Sequence, residues 1–185
     1  MDSKLIPLFV ALVFSGLCTA RAQQAIDVPG NLLENGAFTK GTQGWAIHSN
    51  GGGPGLMAMD EAEKHSNRPT LRVENPTGCD TLVLQTVAVK PNMHYRMTAF
   101  IKTKDVATVK RSQKEGASLA VAGGFIKTPS VMGTKVWTRV THEFNTGNET
   151  KIEIGPRLGH YSNAVTGTAW FADLSLVETG KAHGK

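Results

Sequence analysis

Three carboxylates fall close together in Met59-Asp-Glu-Ala-Glu-Lys-His65, at Asp60, Glu61 and Glu63. A pair of such groups is what hydrolysis of a glycosidic bond requires, one of them held protonated by burial. Nothing apolar surrounds this trio, so the sequence reads as a solvated, charged stretch. The histidines His48, His65, His94, His142, His160 and His183 show no spacing that would set two of them on one strand or helix as a metal pair. No Gly-x-Ser-x-Gly turn is present to present a nucleophile. The glycine-rich run 51–55 has neither the Lys-Ser/Thr sequel nor the following helix of a phosphate cradle. These residues do not make an enzyme, and the chain is expected to act without catalysis or cofactor.

The chemistry that is left sits on a secreted chain. Lys4 precedes a nearly uninterrupted apolar run from Leu5 to Leu17, and Ala20-Arg21-Ala22 places small residues where a signal peptidase cuts. Residues 1–22 are therefore expected to be a signal peptide, too short to span a bilayer, and the protein to be extracellular. Cys18 leaves with that segment. Cys79 then stands alone, either buried and inert or available for an intermolecular bond that would give a disulfide-linked homodimer. Asn148-Glu-Thr150 is a glycosylation sequon in a Gly- and Asn-rich turn. The net charge of +5 is spread along the chain. Its only loose cluster of basic residues, Lys102, Lys104, Lys110, Arg111 and Lys114, is interrupted by Asp105 and Glu115 and carries no aromatic residue, which argues against nucleic acid.

The elements that must carry these residues are all strands. Alternating or β-branched runs recur at Trp45–Ser49, Leu56–Met59, Thr70–Glu74, Thr81–Lys90, Met93–Thr103, Ala117–Ala122, Val136–Phe144, Lys151–Gly155 and Thr168–Val177, punctuated by Gly, Pro and Asn. No sustained helical period appears, and 104–115 reads as a long loop with at most a short edge strand. The pattern predicts an all-β sandwich of about eight to ten antiparallel strands, as one domain over 23–180 with a disordered tail at 181–185. Alternation sets Tyr95, Met97, Ala99 and Ile101 on a core face, with Arg96, Thr98, Phe100 and Lys102 opposite. In the last strand it sets Trp170, Ala172, Leu174 and Leu176 inward and leaves Phe171, Asp173 and Ser175 outside. In 136–144, Val136, Thr138, Val140, His142 and Phe144 form the expected core row.

The opening Asn31-Leu-Leu-Glu-Asn-Gly-Ala-Phe38 with Gly44-Trp45, the Tyr95 strand, the Trp137–Phe144 strand and the closing Trp170–Leu176 strand together resemble carbohydrate-binding modules of the four/nine group, among the galactose-binding-domain-like jelly rolls. The resemblance implies that the first and last strands pair and close one small domain. Similar modules build a structural calcium site from a carboxylate after the first Phe and two Asp in the last strand. Here Thr39 and Ala172 stand at two of those positions, which argues against a metal. Phe100 matches a position where such modules turn a ring toward ligand, and Arg96 shares its face. Arg157 and Tyr161, in Gly155-Pro-Arg-Leu-Gly-His-Tyr161, are expected in a loop at one rim. Phe100 and Tyr161 would stack on sugar while Arg96 and Arg157 bond its hydroxyls or a carboxylate. The implied function is a stand-alone, lectin-like module for extracellular, wall or matrix glycan; the alternative is a matrix or cell-surface protein that uses the same fold to contact protein.

Overall fold

The computed structural model describes residues 28–110, 114–161 and 163–181, so the signal segment 1–22, Cys18, Arg111 and His183 lie outside the described residues. Eight strands follow in order: β1 (Ala46–Asn50), β2 (Leu56–His65), β3 (Arg68–Ala88), β4 (Met93–Thr108), β5 (Ala117–Val121), β6 (Gly133–Asn145), β7 (Lys151–Leu158) and β8 (Val165–Lys181). All pairings are antiparallel. The order β2-β3-β8-β4-β6 makes one face of a sandwich and β1-β3-β7-β5 the other. Among the described residues no helix is long and apolar enough to cross a membrane.

The long strand β3 belongs to both sheets, which joins two runs that the sequence separates. The Asn75-Pro-Thr-Gly-Cys79 stretch reads as a break, and it is instead a register shift between Asn75 and Cys79 where the chain crosses from one sheet to the other. Proline is tolerated at such a bulge. The buried Asn75 amide donates to the carbonyls of Cys79 and Leu158, both at 2.9 Å, and so satisfies the backbone that the bulge leaves unpaired. Cys79 is fully buried beside Thr81, with Sγ 3.2 Å from its hydroxyl. An intermolecular disulfide there would require the bulge to open.

The core row of β4 is as the alternation predicts: Tyr95, Met97, Ala99 and Ile101 are fully buried. They meet Val83, Leu119, Ile154 and Leu158 of the other sheet in one apolar cluster. In β6 only Val140 and Phe144 of the expected row join it, and Val136 is exposed. β4 runs to Thr108, with Val106 buried, where a loop was expected. β8 also runs on through Gly180 and Lys181, where a disordered tail was expected. The opening segment does lie against β8, but as a chain of turns with a single bridge at Asn31–Val177. Asn35 and Phe38 take left-handed φ values of 53° and 54°, which regular strand pairing does not hold. Asn31 docks the loop through its side chain, donating to the Leu174 carbonyl at 3.0 Å and accepting from the Leu176 amide at 2.9 Å. Gly36 is required beside it, because an added Cβ would overlap the Leu174 carbonyl oxygen.

The last strand departs from simple alternation. Phe100 faces Ala172 and Thr98 faces Ser175, so β8 carries one residue more than β4 over this step. The extra residue is Asp173, with φ of 49°. The bulge reverses the phase of everything before it. Phe171 and Ala169 therefore enter the core, while Trp170 and Ala172 lie on the outer face. Leu174 and Leu176 remain inside, as expected.

Candidate functional site

On the outer face of the five-stranded sheet, β4 presents Arg96, Thr98 and Phe100 in a row. In the ladder Phe100 lies between Arg139 of β6 and Ala172 of β8, and the small alanine leaves one flank of the ring open. The β2–β3 hairpin turns at Ser66 and Asn67, with φ of 50° and 61°. Two successive left-handed residues make the tight turn that matches strand twist, and this turn brings His65 and Arg68 over the same face. The Asp173 bulge aims a carboxylate at both: His65 Nδ1 donates to Oδ2 at 2.7 Å, and Arg68 pairs with Oδ1. His65 so held packs its ring 4.3 Å from Phe100 and 4.9 Å from Trp137. Of these residues His65, Arg68, Arg96, Thr98, Phe100, Arg139 and Asp173 line a groove of about 380 Å³, within the range of small-ligand sites of roughly 300–1,000 Å³.

The electrostatics of the groove are uneven. Arg96 gives both Nε and a terminal nitrogen to Glu143 Oε1 at 2.7 Å, and Arg68 is held by Asp173. Among the described residues no ion pair reaches Arg139, which is exposed. Farther along the sheet Trp170 donates its indole N–H to Asp60 Oδ2 at 2.8 Å, and Lys102 pairs with Glu63 while its ammonium lies 5.6 Å over the Trp170 ring. The acidic trio is thus on strand β2 with two members engaged, where a solvated stretch was expected. The Glu63 amide and the Trp170 indole hold the Asp60 carboxyl below its usual value.

Sequence reasoning grouped four ligand residues, and the structure separates them. Arg96 and Phe100 line this groove. Arg157 is on β7 of the opposite sheet, 2% exposed, and not in a rim loop. Its guanidinium forks onto the fully buried Asp80, Nε to Oδ1 at 2.8 Å and a terminal nitrogen to Oδ2 at 2.5 Å. That bidentate pair uses the donors a sugar would need. Tyr161 stands 4.7 Å over the guanidinium and 5.4 Å from Phe125, whose ring is 83% exposed. His65, Trp137, Arg139 and Asp173 were not among the expected site residues. The His-Ser-Asn-Arg hairpin turn was the signal that could have found the first, and nothing local foretells the bulge that aims Asp173. Asn148 is exposed in its turn, and among the described residues no group of three or more His, Cys, Asp or Glu could hold a metal ion.

His160, buried beside Arg157 with no hydrogen-bond partner for Nε2, reports on that region. Burial, and then the Arg157 charge, pull its pKa below the ordinary value. On acidification the unfolded chain therefore binds a proton first, near its value of about 6.5. The stability present above that pH is lost as pH falls through the lower folded value. His160→Leu is expected to flatten the fall in melting temperature as pH drops below about 6.5, measured by thermal unfolding across a pH series; an unchanged slope would show that His160 is solvated.

No protein-family model and no curated protein sequence matches the chain. Solved structures do. The enzymatically active domain of bacteriophage CBA120 tailspike protein 4 aligns with a TM-score of 0.60 at 12% identity over 81% of this chain, which spans 22% of that one. A family 61 carbohydrate-binding module solved with β-1,4-galactotriose aligns at 0.53 and 17% identity, covering 80% of this chain and 99% of the module. A putative sugar-binding protein from Bacteroides thetaiotaomicron aligns at 0.55 and 11%, covering 80% and 100%. The fold is the jelly-roll sandwich of the carbohydrate-binding modules.

Proposed function

We propose that this protein is a secreted, non-catalytic carbohydrate-binding module, and that glycan lies along the outer face of the five-stranded sheet. One observation carries the proposal: the Phe100 and His65 rings, with Trp137 packed against His65, lie beside the Arg96 and Arg139 guanidiniums that line the same groove. Aromatic surface covers the C–H face of a pyranose, and flanking planar donors bond its oxygens, so the two kinds of group are needed side by side. Arg96 and Phe100 are the ligand residues of this proposal. Tyr161 belongs to a separate surface, and Arg157 supports its ring from below. Glycosylation at Asn148 is compatible with binding, since the sequon does not line the groove. The fold neighbours include a module crystallised with galactotriose, which favours a glycan ligand here without naming it.

The test is a glycan-array screen of the secreted form and its Phe100→Ala variant, run with calcium and with chelator. Binding to a defined sugar set is expected, weakened about tenfold or more by Phe100→Ala and unchanged by chelator, since a stacked ring contributes on the order of 1–2 kcal/mol. A blank array with folded protein would refute the proposal. The exposed Phe125–Tyr161 pair supports a second reading, contact with an extracellular protein partner, to which a blank array would point.

A further inference from the structure

Resting on the glycan proposal above, we infer that the sugar this groove takes is anionic, a pyranose that carries a carboxylate or a sulfate, and that Arg139 selects it. The groove offers far more donors than acceptors. Three arginines, Arg68, Arg96 and Arg139, line it, and a guanidinium can only donate. The carboxylates facing them are already paired, which leaves only the Ser66, Thr98 and Ser175 hydroxyls as acceptors in the lining. Asp173 takes His65 on one oxygen and Arg68 on the other. Glu143 takes Arg96 twice on Oε1. The Thr98 and Thr141 hydroxyls bond each other at 2.7 Å, and Thr141 donates on to the Met97 carbonyl.

A neutral sugar presents hydroxyls, each of which needs an acceptor as well as a donor for full satisfaction in a partly dry site. A carboxylate or sulfate presents acceptors only, and so matches what this wall has to give. Charge points the same way. With Asp173 opposite Arg68 and Glu143 opposite Arg96, Arg139 is the cation whose charge no described carboxylate offsets. Its place is also suited to selection. It stands directly across the ladder from Phe100, where side chains lie about 5 Å apart. A pyranose stacked on Phe100 would set an edge substituent within reach of that guanidinium.

Titration calorimetry on the full secreted chain provides the test, with three probes: oligogalacturonate, a sulfated galactan oligosaccharide and a neutral β-1,4-galacto-oligosaccharide. At least one anionic probe is expected to bind about tenfold or more tightly than the neutral one, with affinity that falls as salt is raised. The two anionic arms tell carboxylate from sulfate. Arg139→Gln is expected to lower the anionic affinity about tenfold and to leave the neutral affinity unchanged, since a charge-assisted contact of that kind is lost. Lys151→Gln, on the opposite sheet, should change neither. Arg139 is exposed, so the variant folds. Tight neutral binding with no anionic preference, or an equal effect of Arg139→Gln on both classes, would overturn the inference and leave the glycan proposal standing. An equal loss in Lys151→Gln would also overturn it, by showing general charge attraction. No binding of either class, here or across the array, would sink both.

Discussion

Asp80→Ala is expected to destabilise the protein by about 3–5 kcal/mol, because it strands the Arg157 guanidinium in the interior without its counter-charge. Both groups are buried, Arg157 at 2% exposure and Asp80 at 0%, and their bidentate contact spans β3 and β7. A pair so placed offers little net stability over apolar residues of the same size, since both charges had to be dehydrated. The double variant Asp80→Leu/Arg157→Leu should therefore recover most of what Asp80→Ala loses. Urea denaturation of the three proteins checks both halves of the argument. A loss below about 1 kcal/mol in Asp80→Ala would mean that the pair behaves like an exposed salt bridge, and would reopen Arg157 as a ligand residue.

The second large effect separates two phenylalanines that strand alternation treats alike. Phe171→Ala is expected to cost about 3–5 kcal/mol, the range for emptying a ring from a packed core, because the Asp173 bulge turns Phe171 inward to full burial. Phe100→Ala should cost within about 1 kcal/mol, since it removes a ring from a partly open groove. The contrast serves the functional test, because a Phe100→Ala protein that keeps its stability makes any loss of sugar binding a local effect. Equal and small losses in both variants would mean that β8 alternates without a bulge.

The two rings also show what was legible in the sequence. Where a strand is uninterrupted, as in Tyr95–Ile101, period-two alternation assigns every side chain to its face, because successive Cβ atoms must point oppositely. One inserted residue defeats that rule for all positions on its far side. Nothing in Trp170-Phe-Ala-Asp-Leu174 announces the insertion, because Asp173 is held in its left-handed conformation by partners 105 and 108 residues away, Arg68 and His65. The long β3 was hidden for a related reason: Pro76 and Gly78 are breakers locally, and the buried Asn75 that bridges the bulge finds Leu158 only through the fold. Arg96 and Phe100 were readable as a pair on one face because two residues apart on one strand is a local fact. Arg157 was not, since its role depends on Asp80, 77 residues earlier. The proposed recognition surface was thus half visible, its β4 row written locally and its hairpin, bulge and Arg139 supplied by tertiary pairing.

The claim that glycan lies on the outer face of the five-stranded sheet meets its most direct test in amide chemical-shift mapping. Isotope-labelled protein would be titrated with the oligogalacturonate and β-1,4-galacto-oligosaccharide probes. Shifts are expected to concentrate at His65–Arg68, Arg96–Phe100, Trp137–Arg139 and Asp173–Ser175, with 123–125 and 160–161 unmoved. Shifts confined to the Phe125–Tyr161 surface, or none with either probe at saturating concentration, would contradict it.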